Sequence, residues 1–256
     1  MSPRNVVIDC TFCGDKSVSR GKEDVVPLWL ARKLAYIAQM HHPESMPTYV
    51  NYGFDNLADF QAGNASSAIP SGAIPAAYKL PDVCKECNNG WMSRLEEAAK
   101  HLIVGLLMDE QKFLAPYDQF ILSTWMVKTC LTYDASLIPR YIPEAIGTRR
   151  FYEFGYPLPA CEVQIGHDPK HISQGEFVHS RMLVAVPQPD GAEIKAVLVA
   201  FQFDHLILNT CINLIDEVPE DVVLGVANLL DSPRFERIWP IRRRLLWPSD
   251  AARLFA

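Results

Sequence analysis

Residues 84–96 have the sequence CKECNNGWMSRLE, and this stretch indicates how the chain folds. It contains a Cys-x-x-Cys pair, and a second pair with the same spacing stands in CTFC at residues 10–13. Structural zinc takes four soft ligands in a tetrahedron, and two such turns supply four thiolates. The alternative is four unrelated reduced thiols. The spacing predicts one structural zinc ion, held by Cys10, Cys13, Cys84 and Cys87.

The composition is that of an ordinary globular protein. The chain has 256 residues, of which 49% are hydrophobic, so it is long enough for one large domain or two small ones. The net charge of −6 argues mildly against strong non-specific DNA binding by the whole chain. No secretory pattern opens the sequence and no apolar run approaches the roughly 20 residues that span a bilayer. We therefore expect a cytoplasmic protein with no membrane contact.

The remaining cysteines have a simpler interpretation. Thiols stay reduced in the cytoplasm, which favours metal binding for the paired cysteines. Cys130, Cys161 and Cys211 are solitary and stand in apolar surroundings. Free cysteine behaves as a small hydrophobic residue, so these three should be packed in the core.

Hydrophobic periodicity predicts an α+β chain in two parts. Residues 1–100 should form a small zinc domain, and residues 101–256 a larger α+β domain of helices followed by an antiparallel sheet. Ser93 and Glu96 have the spacing of a capping box. The Gly-, Pro- and Ser-rich residues 41–78 should form a long excursion, with one hairpin around 48–54. Helices are predicted at residues 25–40, 94–108, 117–133, 143–154 and 221–230. Strands are predicted at 5–10, 162–166, 177–186 and 193–208, with a Pro-Asp-Gly turn at 189–191.

Two longer motifs carry a resemblance to a known family. Residues 19–30 read SRGKEDVVPLWL after the first cysteine pair, and CNNGWMSRLE closes the second. Together they resemble the HNH endonuclease family, also called ββα-metal or His-Me finger proteins. The match is similar to a bacterial and phage branch with the pattern EHVxPxWL followed by CxxCNNGWMSxLE. It is close over residues 10–30 and 84–96, and looser over 125–128 and 143–165.

The resemblance implies a small zinc-braced ββα-metal domain, in which two knuckles hold a β-hairpin against a helix. In active relatives a hairpin histidine deprotonates the water that attacks a DNA phosphate. A neighbouring acid and a helix-side residue hold one divalent ion, usually Mg²⁺, or Mn²⁺ in its place. Carried onto this chain, the candidate catalytic residues are Glu23 and Asp24 on the hairpin and Asn88 and Asn89 on the helix side.

The chain departs from the family pattern at the general base, because Asp24 stands where relatives have histidine. An aspartate has an unperturbed pKa of about 3.9 against about 6.5 for histidine, which makes it the weaker base. Three interpretations of Glu23 and Asp24 stay open. They form an acidic metal site whose bound water attacks the phosphate, they are the remains of a site that binds nucleic acid without cutting, or they cap a helix that starts at Val25.

The other candidate functional residues could also have a purely structural role. Asn88 and Asn89 could ligate a hard cation or simply form the turn into a helix. His41 and His42 could replace the missing base, although solvated residues at a helix end are the plainer interpretation. Arg242, Arg243 and Arg244 could contact phosphates or form a solvated face.

The sequence thus predicts an HNH-type nuclease or nuclease-derived protein that hydrolyses DNA phosphodiester bonds with a divalent ion. The alternative is an inactive zinc-ribbon module that binds nucleic acid or a protein partner.

Overall fold

The structure, a computed structural model, is a mixed α+β fold in which a long buried helix packs on a large sheet. The mixed α+β class is therefore confirmed. The residues that the structure describes are 6–21, 23–44, 49–53, 67–70, 79–80, 82–108, 112–158, 161–168, 175, 177–187, 193–214, 235–241 and 245–247.

Three of the described helices lie close to their predicted positions, whereas the helix predicted at 143–154 begins only at Thr148. The helices are α1 (Leu28–His41), α2 (Ser93–Leu107), α3 (Pro116–Ala135) and α4 (Thr148–Phe154). α1 begins later than predicted because Pro27 stands outside it with an extended ψ of 141°. The capping box predicted for α2 is wrong. Helical turns at Lys85–Cys87 and Asn88–Met92 precede α2, and the Ser93 N–H already donates to the Gly90 carbonyl.

The main sheet contains five antiparallel strands. The predicted strand at 193–208 is in fact two strands, because the chain reverses at Asp204 and His205. Asp204 adopts the left-handed φ of 55° that this tight turn requires. The strands are β8 (Cys161–His167), β9 (Phe177–Pro187), β10 (Glu193–Phe203), β11 (Leu206–Asn213) and β12 (Phe235–Trp239). Across the sheet they lie in the order β12-β8-β11-β10-β9.

Two strands from the excursion at residues 41–78 extend this sheet. β4 (Tyr49–Gly53) pairs in parallel with β9 and antiparallel with β5 (Ser67–Pro70). The predicted hairpin around 48–54 is thus a single strand whose partner lies further along the chain. The large sheet therefore takes strands from both sides of residue 100. The predicted helix at 221–230 and the turn at 189–191 lie outside the described residues.

The short strands form three small antiparallel pairs. These are β1 (Val7–Ile8) with β2 (Val18–Ser19), β3 (Glu23–Asp24) with β6 (Lys79–Leu80), and β7 (Lys112–Leu114) with β13 (Leu245–Trp247). The predicted strand at 5–10 is thus reduced to two residues.

Helix α3 is the centre of the core. It begins at Pro116, where the Asp118 carboxylate accepts a hydrogen bond from the Ala115 N–H at 3.0 Å. Every residue from 121 to 134 is buried. Trp125 packs against Phe203 of the sheet, with ring centroids 6.2 Å apart. A helix that is buried on all sides must pair its polar side chains internally.

The solitary cysteines Cys130, Cys161 and Cys211 are buried and unpaired, which confirms the prediction that they belong to the core. Among the described residues, no helix combines the length and the apolar character needed to cross a membrane.

A histidine buried between α3 and the sheet, His179, should make the free energy of unfolding depend on pH in the acid range. The Tyr133 hydroxyl and the His179 Nδ1 are 2.7 Å apart, and burial lowers the pKa of His179 to about 4. The unfolded chain then binds the proton more readily between pH 4 and 6.5, so stability falls as the pH drops. Between pH 7.5 and pH 5, the free energy of unfolding measured in urea should fall by about 2 kcal/mol less in His179→Phe than in the wild type. Parallel pH curves for the two proteins would contradict this, and Tyr133→Phe, which keeps the histidine, is the control.

Candidate metal centre

The first cysteine pair lies in a tight turn between β1 and β2. The Cys10 N–H donates to the Asp15 carbonyl at 2.9 Å, and the Gly14 N–H donates to the Cys10 carbonyl at 3.1 Å. Gly14 has a φ of 85°, a backbone conformation that residues with a side chain rarely adopt. The turn therefore directs both thiols toward one side.

Backbone hydrogen bonds bring the second cysteine pair against the first. The Thr11 N–H donates to the Asp82 carbonyl at 2.8 Å, and the Gly21 N–H donates to the Val83 carbonyl at 2.6 Å. Arg20 and Cys84 form an isolated antiparallel bridge. The two turns, more than 70 positions apart, are thus held together by the main chain and not only by the thiols.

The four sulphur atoms have the spacing of a tetrahedral site. All four lie within 4.8 Å of one another. The Cys10–Cys87 Sγ–Sγ distance is 3.9 Å and the Cys13–Cys84 distance is 3.8 Å. Sulphurs placed tetrahedrally at 2.3 Å from a zinc ion would be about 3.8 Å apart. The four cysteines could therefore hold a metal ion such as zinc.

The thiols differ in acidity because they share protons. The Cys10 and Cys87 thiols share a hydrogen bond, which lowers the pKa of Cys10 to about 4. The same hydrogen bond raises the pKa of Cys87, and burial raises the pKa of Cys13 to about 12. Burial also raises the pKa of Cys84, and a thiol that carries a proton must lose it when a metal ion binds. Metal affinity should therefore fall as the pH is lowered.

Aromatic side chains pack around the centre. Phe12, between the first two cysteines, is fully buried and meets Trp91 edge-on at 5.5 Å. Trp91 also contacts Phe151 of α4, with ring centroids 5.8 Å apart. Trp91 is therefore part of the packing around the knuckles.

The two predicted acids lie on β3, directly after the first knuckle. Glu23 is opposite Leu80 and Asp24 is opposite Lys79 in the β3–β6 pair. Successive side chains of a strand point to opposite faces, and here Glu23 is buried whereas Asp24 is partly exposed. The interpretation of these acids as caps of a helix at Val25 is wrong, since α1 begins at Leu28 with no acid in its first turn.

A buried lysine binds the carboxylate of Glu23. The Lys128 side chain is 0% exposed, and its Nζ lies 2.5 Å from Glu23 Oε1 and 3.0 Å from Glu96 Oε1. Burial alone would lower the pKa of Lys128, but the two carboxylates raise it above its ordinary value. Burial raises the pKa of Glu23, against the opposing effect of Lys128. We call these three residues the buried charge cluster.

The predicted amides lie in the turn that follows Cys87. The Asn88 Nδ2 donates to Asn89 Oδ1 at 3.2 Å, and the Asn88 N–H donates to the Cys84 carbonyl at 3.0 Å. A Cβ built on Gly21 would lie 3.0 Å from the Asn88 Cβ, so this turn packs directly on the chain that leads into β3.

Sequence reasoning missed the roles of Lys128 and Glu96. The available signal was a lysine inside the apolar run 125–131, because a buried ammonium needs acidic partners. His41 is exposed at the end of α1, and His42 is exposed beside it, as the plainer interpretation predicted. Arg242, Arg243 and Arg244 lie outside the described residues.

Comparison with known proteins adds no further assignment. No protein-family model, curated protein or solved structure matches the chain.

Proposed function

We propose that the chain is an HNH-type nuclease, or a protein derived from one, that acts on DNA with a divalent ion. The observation that carries the proposal is the antiparallel β3–β6 pair, followed by the second cysteine pair and α2. This is a strand–strand–helix arrangement like that of the family that the motifs resemble, although α1, β4 and β5 stand between β3 and β6 in the chain. The four cysteines would hold zinc as a structural brace with no open position. A separate Mg²⁺ or Mn²⁺ ion would serve the reaction.

Asp24 is the residue that we place at the reacting phosphate. Its side chain is 27% exposed, and its partner Lys79, 3.0 Å away, is 51% exposed. Exposed pairs of this kind contribute little to stability, so the carboxylate can exchange partners. The oxygen atoms of Asp24, Asn88 and Asn89 are hard donors of the class that Mg²⁺ and Mn²⁺ prefer. A divalent ion there would supply Lewis acidity toward the phosphate.

Glu23 has a different role in this proposal. Its carboxylate is bound to Lys128 inside the core, so it would have to break a buried ion pair to reach a metal ion. We assign Glu23 as the anchor of β3, which keeps Asp24 on the outer side of the strand. This separates two neighbouring acids that the motif alone treats as one site.

A second function is favoured by the lysines beside both acids. Lys128 binds Glu23 and Lys79 binds Asp24, so each carboxylate already has a cationic partner. A zinc-braced module that binds DNA or a protein partner without cutting would need no further cation. Arg242, Arg243 and Arg244 are then the proposed phosphate contacts, and their replacement should weaken salt-dependent retention on DNA.

Plasmid cleavage distinguishes the two functions. If the chain is a nuclease, zinc-loaded wild type with Mg²⁺ or Mn²⁺ nicks supercoiled plasmid. Asp24→Asn should then lower the rate by about 100-fold or more, because it removes a charged ligand or base. Asp82→Asn is the matched control, since Asp82 is an exposed acid of the knuckle region that is also paired with a basic residue, Arg20, at 3.5 Å.

The inactive alternative gives the opposite pattern. Wild type is then retained on DNA at low salt without cutting it, and Asp24→His, which restores the family's general base, creates Mg²⁺-dependent nicking. A wild-type chain that neither cuts DNA nor is retained on it would exclude a DNA function and leave a protein partner.

A further inference from the structure

Helix α4, in the second part of the chain, contacts the first cysteine turn through Arg149. A Cβ built on Gly14 would lie 1.5 Å from Arg149 Nη1, so the guanidinium lies directly against this glycine, next to Cys13. The Arg149 side chain is 27% exposed, and Glu144 Oε2 is 3.8 Å from its Nη2. The guanidinium is thus largely covered, at the edge of the candidate metal centre.

The centre needs positive charge nearby. Four thiolates around one Zn²⁺ ion carry a net charge of about −2. Backbone N–H groups offset part of it, since Cys84 N donates to Cys10 Sγ at 3.4 Å and Cys87 N donates to Cys84 Sγ at 3.3 Å. Partners outside the ligand set commonly tune metal affinity by 10- to 100-fold. An arginine keeps its charge at every accessible pH and presents several donors.

A second residue of α4 also lies near the sulphurs. Tyr152 is one helical turn after Arg149, on the same side of the helix, and its ring is 6.3 Å from that of Trp91. Burial and the nearby Cys87 and Cys13 sulphurs raise the pKa of the Tyr152 phenol. One side of α4 therefore faces the cysteine cluster.

Other charges share this region with Arg149. Asp9 accepts a hydrogen bond from Lys16 at 2.9 Å, which lowers the pKa of the Asp9 carboxyl, and Arg149 contributes a smaller part of that shift. Lys16 already pairs with Asp9, and Arg140 lies closer to Glu144, at 2.9 Å, than Arg149 does. The Arg149 charge therefore remains largely available to the centre.

We propose that Arg149 lies beside the zinc ligands without binding the metal itself. Its guanidinium offsets the charge of the four thiolates and slows loss of the metal. The inference rests on the proposed zinc ion. It makes α4 part of the metal centre, although α4 lies more than 50 positions beyond the last cysteine ligand.

Zinc transfer to a chromogenic chelator tests this in the full-length, zinc-loaded chain. Arg149→Met should release zinc about 10-fold faster than the wild type, and Arg149→Lys, which keeps the charge but loses the planar fork, should lie between them. Arg32→Met is the matched control, because it removes an exposed arginine from α1 with the same change in net charge. It should release zinc at the wild-type rate.

Salt gives a second readout on the wild type itself. Screening shortens the range of the Arg149 charge, so wild-type release should accelerate with ionic strength, whereas Arg149→Met should respond little. Equal release rates for zinc-loaded wild type and Arg149→Met would overturn the inference while leaving the zinc proposal intact. If Arg149→Met does not fold, wild-type release that is insensitive to salt would overturn it. A wild-type chain that takes up no zinc would overturn both.

Discussion

Replacing Cys87 with serine is expected to remove zinc from the purified protein and to unfold the region around both knuckles. Cys87 is buried, and its Sγ is 3.9 Å from that of Cys10. Zinc binding to sites of this kind is worth about 10–16 kcal/mol near neutral pH, and that energy is folding energy. Loss of one thiolate should lower the zinc content, measured by elemental analysis, from about one ion per chain to a small fraction of that.

The unfolding should be local enough to map by hydrogen exchange. The Thr11 and Gly21 amides cross-link the two knuckles, so both should lose protection in Cys87→Ser. Amides in the middle of the β10–β11 pair, such as that of Val199, should keep more of theirs.

Cys130→Ser is the matched control for this variant. Cys130 is fully buried on α3, and burial raises the pKa of its thiol to about 12, so it is a neutral core side chain. The substitution should lower overall stability and leave the zinc content unchanged. A Cys87→Ser protein that retains zinc as firmly as the wild type would show that the four sulphurs do not act as one site.

The parts of the structure that could be predicted are those that depend on residues close together in the sequence. Each Cys-x-x-Cys turn fixes the spacing of its own two thiols. The fold then has only to bring the two pairs together at one site. The apolar residues of α2 recur with the helical period, so this helix could be placed within a few residues of its ends.

Features that depend on distant or weak signals were missed. The turn at Asp204 and His205 contains no glycine or asparagine, so β10 and β11 looked like one strand. β4 and β5 lie in a stretch rich in small residues, and β4 finds its partner β9 more than 100 positions away. Arg149 is recognisable as a neighbour of the first knuckle only once α4 is seen against Gly14.

The buried charge cluster illustrates the same limit at the candidate site. Lys128 lies 105 positions from Glu23 and 32 positions from Glu96, so no local pattern links them. The motif placed Asp24 at the position of the general base and Glu23 beside it in the same candidate site. Only the contact with Lys128 on α3 distinguishes Glu23, the inward anchor, from Asp24, the outward acid. Asp24 is therefore the residue that a nuclease test should target.

Lys128→Met is expected to destabilise the protein by about 3–5 kcal/mol at neutral pH, because it leaves the Glu23 carboxylate buried without its cation. Methionine has nearly the length of the lysine stem, so packing around α3 changes little and the loss measures the charge. Urea unfolding followed by tryptophan fluorescence would report it, because Trp125 lies one turn away on the same buried helix. Lys100→Met, which removes a lysine that is 44% exposed on α2, is the control and should change stability little.

The pH dependence identifies the cause. The pKa of Glu23 is already raised by burial, and loss of the ammonium should raise it further. A carboxyl with a raised pKa in the folded state favours folding below its unfolded pKa and loses that contribution as the pH rises. The deficit of Lys128→Met should therefore be largest near pH 7 and shrink as the pH approaches about 4.

A double variant separates charge from packing. Glu23→Gln in the Lys128→Met background removes the unpaired charge, and Glu96, whose side chain is 23% exposed, can turn to water. The double variant should recover much of the lost stability, because replacing a whole buried ion pair costs far less than breaking it. If the single variant is as stable as the wild type, or if its deficit is the same at pH 4 and pH 7, then Lys128 does not anchor β3 through Glu23. The assignment of Asp24 as the outward acid would then lose its structural basis.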